Sequence, residues 1–317
     1  MIAFGPVPSR RLGRSVGINH IPPKTCSYAC VYCQVGRTSQ LRIARRAFYA
    51  EDDIVADVER KVDDARLAGE TVDYLTFVPD GEPTLDVGLG RVIERLKPLG
   101  IKIAVITNGS LLWRADVRET LAAADWVSVK VDAVRPNIWR RINRPHRSLW
   151  LSAVLDGMLA FAEAYRGELV TETMLVRGVN EDAAHLADVA SFLAQLQPAK
   201  AYLAVPTRPP VEPWVEPPPE AVINHAFQLL RGGVEHVELL IGYEGNAFAS
   251  TGDLAEDLLS ITAVHPMRED AVQELLARAG AEMSVVQSLI AQGQLVETTY
   301  DGHKFYARKL KGAAVHG

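Results

Sequence analysis

The stretch 72-VDYLTFVPDGEPTLDVGLGRVIERLKPLGIKIAVITNG-109 decides the fold. Residues 72–78 form an apolar run that reads as a strand. Asp80-Gly81-Glu82-Pro83-Thr84 closes it as a loop, 89–99 reads as a helix, and 101–107 is a second strand ending in Asn108-Gly109. Strand, loop, helix and strand in that order are the unit of a parallel sheet covered by helices.

The same alternation extends both ways. Upstream, 15–19 is a first strand, and 51–67 is a helix. Asp52 and Asp53 suit its N-terminal dipole, and Ile54, Val58 and Val62 recur every four residues. Downstream, helices at 115–124, 149–165 and 181–197 alternate with strands at 126–132, 169–176 and 200–205. Six βα-type units result. They span about 190 residues, where a complete eightfold barrel takes about 250. A partial barrel is expected, with an open doubly wound sheet as its structural competitor.

Residues 5–14 read as a Pro- and Arg-rich loop. Residues 206–219 hold seven prolines in fourteen positions and cannot form a helix or a central strand. They read as a stiff connector, or as a lid, since they leave a strand end. A helix at 222–230, a short strand at 237–241 and loop residues at 242–250 follow. The alternation then stops. Helices at 254–261, 269–279 and 282–292 precede a hairpin, 295–300 and 303–308, about Asp301-Gly302. Three helices and a hairpin look like a winged helix-turn-helix. The expected division is an α/β unit over 1–242, with the proline segment inside it, and a winged-helix-like unit over 250–317.

All three cysteines, Cys26, Cys30 and Cys33, fall within residues 24–34. Thiolates select soft metals or iron–sulfur clusters. A structural zinc site wants four Cys or His ligands, and the nearest histidine is His20, upstream. A four-iron cluster on three cysteines instead leaves one iron open for chemistry. Both readings stand on spacing alone.

Cys-x3-Cys-x2-Cys with Tyr32 before the third cysteine resembles the signature of the radical S-adenosylmethionine (SAM) superfamily. The resemblance implies a 4Fe–4S cluster on Cys26, Cys30 and Cys33. It further implies SAM on the open iron, its reductive cleavage to a 5′-deoxyadenosyl radical, and a partial (β/α)6 TIM-type barrel. In such folds function sits at the C-terminal strand ends. Gly81, Glu82 and Pro83 would then meet the amino group of SAM, with Asp80 where the family usually has glycine. Tyr32, Thr107 and Asn108 would stand near SAM. Lys130 and Asp132 are candidate catalytic residues or contacts to SAM or substrate, with a structural ion pair as the alternative. Glu172 is a further candidate cofactor contact on the strand face it shares with Met174, the latter read as packing, and Arg177 is the candidate for the SAM carboxylate.

A nearer resemblance is to the core of the wyosine-base-forming tRNA enzymes. It is carried by Gly81-Glu82-Pro83, Thr107-Asn108-Gly109, the run 127–133, Asn143-Arg144-Pro145 and the run 175–180. Those enzymes hold a second cluster on three further cysteines, which this chain lacks.

Net charge is −5, yet residues 1–50 carry eight Lys/Arg and no Asp or Glu. Arg10, Arg11, Arg14, Arg37, Arg42, Arg45 and Arg46 flank the cysteines, and Arg135, Arg140, Arg141, Arg144 and Arg147 follow the fourth strand. A basic rim suits an anionic substrate, RNA or a nucleotide; solvated arginines balanced by helix carboxylates are the alternative. From residue 250 the chain has six Lys/Arg against nine Asp/Glu, and 282–292 has no basic residue. This argues against DNA reading and leaves docking of protein or nucleic acid. A reductant such as flavodoxin or ferredoxin is implied. No apolar run reaches the ~18 residues of a membrane span, and no signal-peptide pattern opens the chain, so a cytoplasmic location is expected. Two other functions remain: radical modification of a peptide or small molecule, and a cluster-containing winged-helix regulator sensing redox state or iron.

Overall fold

The apolar runs of the sequence pair side by side in one sheet of a computed structural model, which describes residues 2–241, 248 and 253–309. The loop expected at 242–250, and with it the expected domain boundary, lies outside the described residues apart from Phe248. In chain order the first unit contains β1 (Ala3–Ser9), β2 (Gly13–Ile18), the short β3 (Thr25–Cys26) and β4 (Gln40–Leu41), α1 (Glu51–Leu67), β5 (Tyr74–Phe77) and α2 (Leu89–Leu96). It continues through β6 (Lys102–Thr107), α3 (Ala115–Leu121), β7 (Trp126–Lys130), α4 (Pro136–Ile142), α5 (Leu151–Ala164) and β8 (Glu168–Met174). It closes with α6 (Ala183–Leu196), β9 (Lys200–Ala204), α7 (Glu220–Arg231) and β10 (Val237–Leu240).

The sheet order is β1-β2-β5-β6-β7-β8-β9-β10, and every pair from β2 to β10 is parallel. Leu75, Phe77, Ile103, Val105, Val127 and Val129 are buried, as parallel strands covered on both faces require. This is an α/β fold with a mostly parallel sheet, consistent with the partial barrel. β10 is the short strand expected at 237–241, and it joins the sheet as a seventh parallel strand. Residues 5–14 are not one loop: β1 runs antiparallel to β2, and as an edge strand it tolerates Pro6 and Pro8. The basic segment after β7 also holds a helix, α4, opened by Pro136 at its first turn and buried through Trp139 and Ile142.

The second unit contains α8 (Leu254–Val264), β11 (Met267–Arg268), α9 (Glu269–Arg278), α10 (Ser284–Ala291), β12 (Leu295–Tyr300) and β13 (His303–Arg308). Its antiparallel sheet is ordered β11-β13-β12. Asp301 and Gly302 both take positive φ, 49° and 71°, as a tight hairpin turn demands. Leu258, Ile261, Met267, Val272 and Leu275 form its core, and Phe4 of β1 belongs to the same cluster. Lys61 of α1 meets Asp257 of α8 at 3.4 Å, both side chains 2% exposed. The two units therefore share a packed boundary. No helix among the described residues is long and apolar enough to cross a membrane.

Candidate active site

The cysteine loop leaves β2 and is fastened to its neighbours by main-chain hydrogen bonds. Ala29 N donates to Asn143 O (3.0 Å), Val31 N to Ile142 O (2.9 Å) and His146 N to Ser27 O (2.9 Å). The proline segment crosses the other side, where Val211 N donates to Cys33 O (3.0 Å) and Glu212 N to Val31 O (3.2 Å). The segment read as connector or lid is thus a strap on the cysteine loop.

Between loop, strap and strand ends lies a cavity of about 280 Å³. Cys26, Cys30 and Cys33 all line it, and none is in a disulfide. Burial, reinforced by Glu82, pushes the Cys26 thiol up to about 12, and burial with Asp132 pushes Cys30 up as well. Thiolates in this setting call for a positive centre. No three His, Cys, Asp or Glu side chains among the described residues gather around a single metal ion. His20 is fully buried, edge-on to Phe77 at 5.0 Å, with its pKa lowered to about 4 by that burial. The zinc reading with His20 therefore has no built site. A polynuclear centre asks for something different: separate thiols facing one cavity, each for its own iron.

Each sulfur also receives one side-chain N–H, from a different segment. Lys24 Nζ donates to Cys33 Sγ (3.5 Å), Asn108 Nδ2 to Cys26 Sγ (3.6 Å) and Asn143 Nδ2 to Cys30 Sγ (3.5 Å).

Glu82 is fully engaged by the protein. Its carboxylate accepts from Thr84 N (3.0 Å), Thr84 Oγ1 (2.6 Å), Thr107 Oγ1 (2.6 Å) and Asn108 N (2.8 Å). It ties the loop after β5 to the end of β6. Gly81 packs so tightly that an added Cβ would lie 2.2 Å from Thr25 O. Pro83 begins a short 3-10 turn, Pro83–Leu85, and is buried outside the cavity lining. Asp80 lines the cavity at 2% exposure. Neither of its carboxylate oxygens has hydrogen-bond geometry with a partner. Burial raises its pKa to about 6, with Lys24 and Asn19 nearby pulling it back.

Lys130, Glu172 and Tyr202 stand in register on β7, β8 and β9. Glu172 bridges Lys130 and Arg11, whose guanidinium sits 5.9 Å over the Tyr202 ring. Lys130 also lies 5.7 Å over Tyr32, and Tyr32, Lys130, Glu172, Thr107, Asn108 and Met174 line the cavity.

Three expectations are corrected here. Lys130 and Asp132 do not share a cavity face: β7 ends at Lys130, so strand alternation lapses before Asp132. That carboxylate instead accepts from Tyr32 Oη, Asn143 Nδ2 (2.6 Å) and Met174 N (2.8 Å), holding the cysteine loop to β8. Arg177 does not reach the cavity. Its side chain is 58% exposed and pairs with Glu216 at 3.1 Å, because β8 ends at Met174 and the following turn aims it outward. The arginine rim is largely neutralised. Arg14 pairs with Glu70, Arg45 with Asp116, Arg37 and Arg144 with Glu212, and Arg135 with Asp188. Arg10 and Arg11 line the cavity. Arg140, Arg141 and Arg147 are exposed and make no ion pair among the described residues.

Lys24, Asn143 and Arg208 are site residues that sequence reasoning missed. Arg208 enters from the strap, donating to Gln34 Oε1 (3.1 Å) and lying 3.0 Å from His265 Nε2. Adjacency to Cys26 was the one available signal for Lys24. Asn143 lay in the Asn143-Arg144-Pro145 motif of the resemblance, without a role assigned to it, and nothing local marks Arg208.

Residues 21–190 match the profile of the radical SAM superfamily. A UPF0026 protein of Methanocaldococcus jannaschii is 47% identical over 312 residues, covering 98% of this chain and 97% of that one. The GTP 3′,8-cyclase of Streptomyces coelicolor is 28% identical over 161 residues, half of this chain and 44% of its own. Among solved structures, TYW1 with a lysine–pyruvate adduct superposes at a TM-score of 0.53. Its identity is 17%, over 69% of this chain and 74% of that one, which is a likeness of fold.

Proposed function

Since the chain belongs to the radical SAM superfamily, whose enzymes use a 4Fe–4S cluster and S-adenosylmethionine, we propose that Cys26, Cys30 and Cys33 hold that cluster and that the substrate is RNA or a nucleotide. When bound, cluster and cofactor supply a 5′-deoxyadenosyl radical that takes a hydrogen atom from the substrate. The protein supplies orientation and shielding. The main chain at Gly81, held in place by Glu82 and, behind it, Pro83, would hold the amino end of SAM. Thr107 and Asn108 border the same pocket. Lys130 and Glu172 face the substrate side, and Asp132 positions Tyr32.

The observation that carries the substrate reading is the set of cationic side chains in the cavity that the thiols line. Arg10, Arg11, Lys130 and Arg208 share one cavity with the three cysteines. Exposed Arg140, Arg141 and Arg147 lie on the segment bonded to the cysteine loop. Guanidinium groups suit phosphate oxygens. The relative named GTP 3′,8-cyclase acts, by that name, on a nucleotide. Residues 1–242 are the catalytic unit in this reading, with a flavodoxin or ferredoxin as electron donor. Residues 250–317 are a winged-helix unit, supported by the order α8, β11, α9, α10, β12, β13.

The test is anaerobic turnover of reconstituted protein with SAM, dithionite and fractionated RNA, read by nucleoside mass spectrometry beside nucleotide and peptide controls. We expect 5′-deoxyadenosine and a new nucleoside or nucleotide, both lost in Cys30→Ala. Arg10→Ala should raise KM for that substrate at least tenfold and leave SAM cleavage without substrate unchanged. A product from the peptide pool alone overturns the substrate reading.

A further inference from the structure

The three N–H···S contacts come from unrelated parts of the chain. Lys24 precedes the cysteines, Asn108 closes β6, and Asn143 follows α4. Each asparagine uses its second N–H elsewhere: Asn108 on Ser27 Oγ (2.8 Å) and Asn143 on Asp132 Oδ2 (2.6 Å). Both amides are therefore fixed in orientation, with one hydrogen left for sulfur.

Lys24 stands out further. Its φ is +61°, a left-handed conformation that a lysine disfavours and a glycine adopts freely. The main chain holds it there. Lys24 N donates to Asp80 O (3.0 Å), and Lys24 O accepts from Ser39 N and Gln40 N (both 3.1 Å). Yet the position carries a long cationic side chain, 6% exposed, whose ammonium ends on Cys33 Sγ. Strain that glycine would remove, kept for an ammonium that meets Cys33 Sγ and also acts on the Asp80 carboxylate, marks a side chain with a task.

We infer that Lys24, Asn108 and Asn143 set the reduction potential of the cluster, with Lys24 contributing most. This rests on the reading that the three cysteines hold it. One-electron reduction, by a flavodoxin-class donor or dithionite, adds a negative charge to the cluster and its sulfurs. N–H donors stabilise that charge and raise the potential, and an ammonium does so more than a neutral amide. These are positioning residues, acting through the sulfurs and not on the substrate.

The test is an EPR-monitored redox titration of anaerobically reconstituted protein without SAM, with iron and sulfide content measured on each sample. At an ambient potential equal to the wild-type midpoint, the reduced-to-oxidised ratio should fall about tenfold in Lys24→Met, ~59 mV for one electron. The fall should be smaller in Lys24→Gln, which keeps a donor without charge, and in Asn108→Ala. Lys24→Arg should return toward wild type. A Lys24→Met protein with full iron and an unshifted midpoint overturns the inference. If Lys24→Met takes up no iron, unshifted midpoints in Lys24→Gln and Asn108→Ala overturn it equally. Failure of all three to take up iron also overturns it, because the donors then serve assembly. Full iron retention in Cys30→Ala would instead sink the cluster assignment itself, so the two failures are distinguishable.

Discussion

Asp80 is a single side chain whose burial costs the fold stability. Its pKa of about 6 in the folded chain stands above the ordinary 3.8, so the native state binds this proton more tightly than the unfolded state. Stability from this group is therefore greatest below about pH 3.8 and is lost as pH rises toward 6. Asp80→Asn should raise the urea midpoint of the cluster-free protein near pH ~8. The gain should be at most about 3 kcal/mol, since each pH unit between the folded and unfolded values is worth roughly 1.4 kcal/mol. It should vanish by pH ~4; a gain that does not change with pH would refute the account. Gly81→Ala should act oppositely. The new methyl meets Thr25 O, main chain that cannot yield cheaply, so a loss of about 1–3 kcal/mol is expected. Weakened SAM binding by equilibrium dialysis should accompany it. The cysteines were legible because their spacing is local. The partners of Glu82 at 107 and 108 were not, because they arrive from the next strand. Asp132 and Arg177 were misplaced for one shared reason: β7 and β8 stop two residues earlier than their apolar runs, and side-chain alternation stops with them.

Among the elements, α1 was readable to the residue, since its acidic first turn and its apolar spacing both lie within the segment. β1 was not, because Pro6 and Pro8 signal a break and the edge position that excuses them is a tertiary fact. The strap shows the same limit: seven prolines announce stiffness, not the partner. Its amide at Val211 is bound to Cys33 O, and proline has no such hydrogen. Val211→Pro should cost about 1 kcal/mol and speed iron release to a chelator several-fold relative to Val211→Ala. Equal release rates in the two variants would show that the strap does not secure the loop.

For the whole molecule, the joint between the units is decisive. Lys61 and Asp257 lie 196 residues apart and are both buried, a pairing that composition could not reveal. Removing one member of a buried ion pair takes away compensation for the other charge, so Lys61→Met should lower stability by about 3–5 kcal/mol. Lys61→Met with Asp257→Leu should recover part of that loss. Urea unfolding followed by tryptophan fluorescence and far-UV dichroism should show one shared transition. Two separated transitions in the unmodified chain would mean that the joint does not couple the units.

Phe4 makes synthesis itself part of the problem. The residue is buried in one cluster with Leu258, Ile261 and Met267, which leave the ribosome long after it does. Until they emerge, the outer edge of the eight-stranded sheet stays bare, inviting pairing with another nascent chain. A message cut short after β10 would thus encode all three cysteines and every strand of the sheet, yet yield a product prone to aggregate.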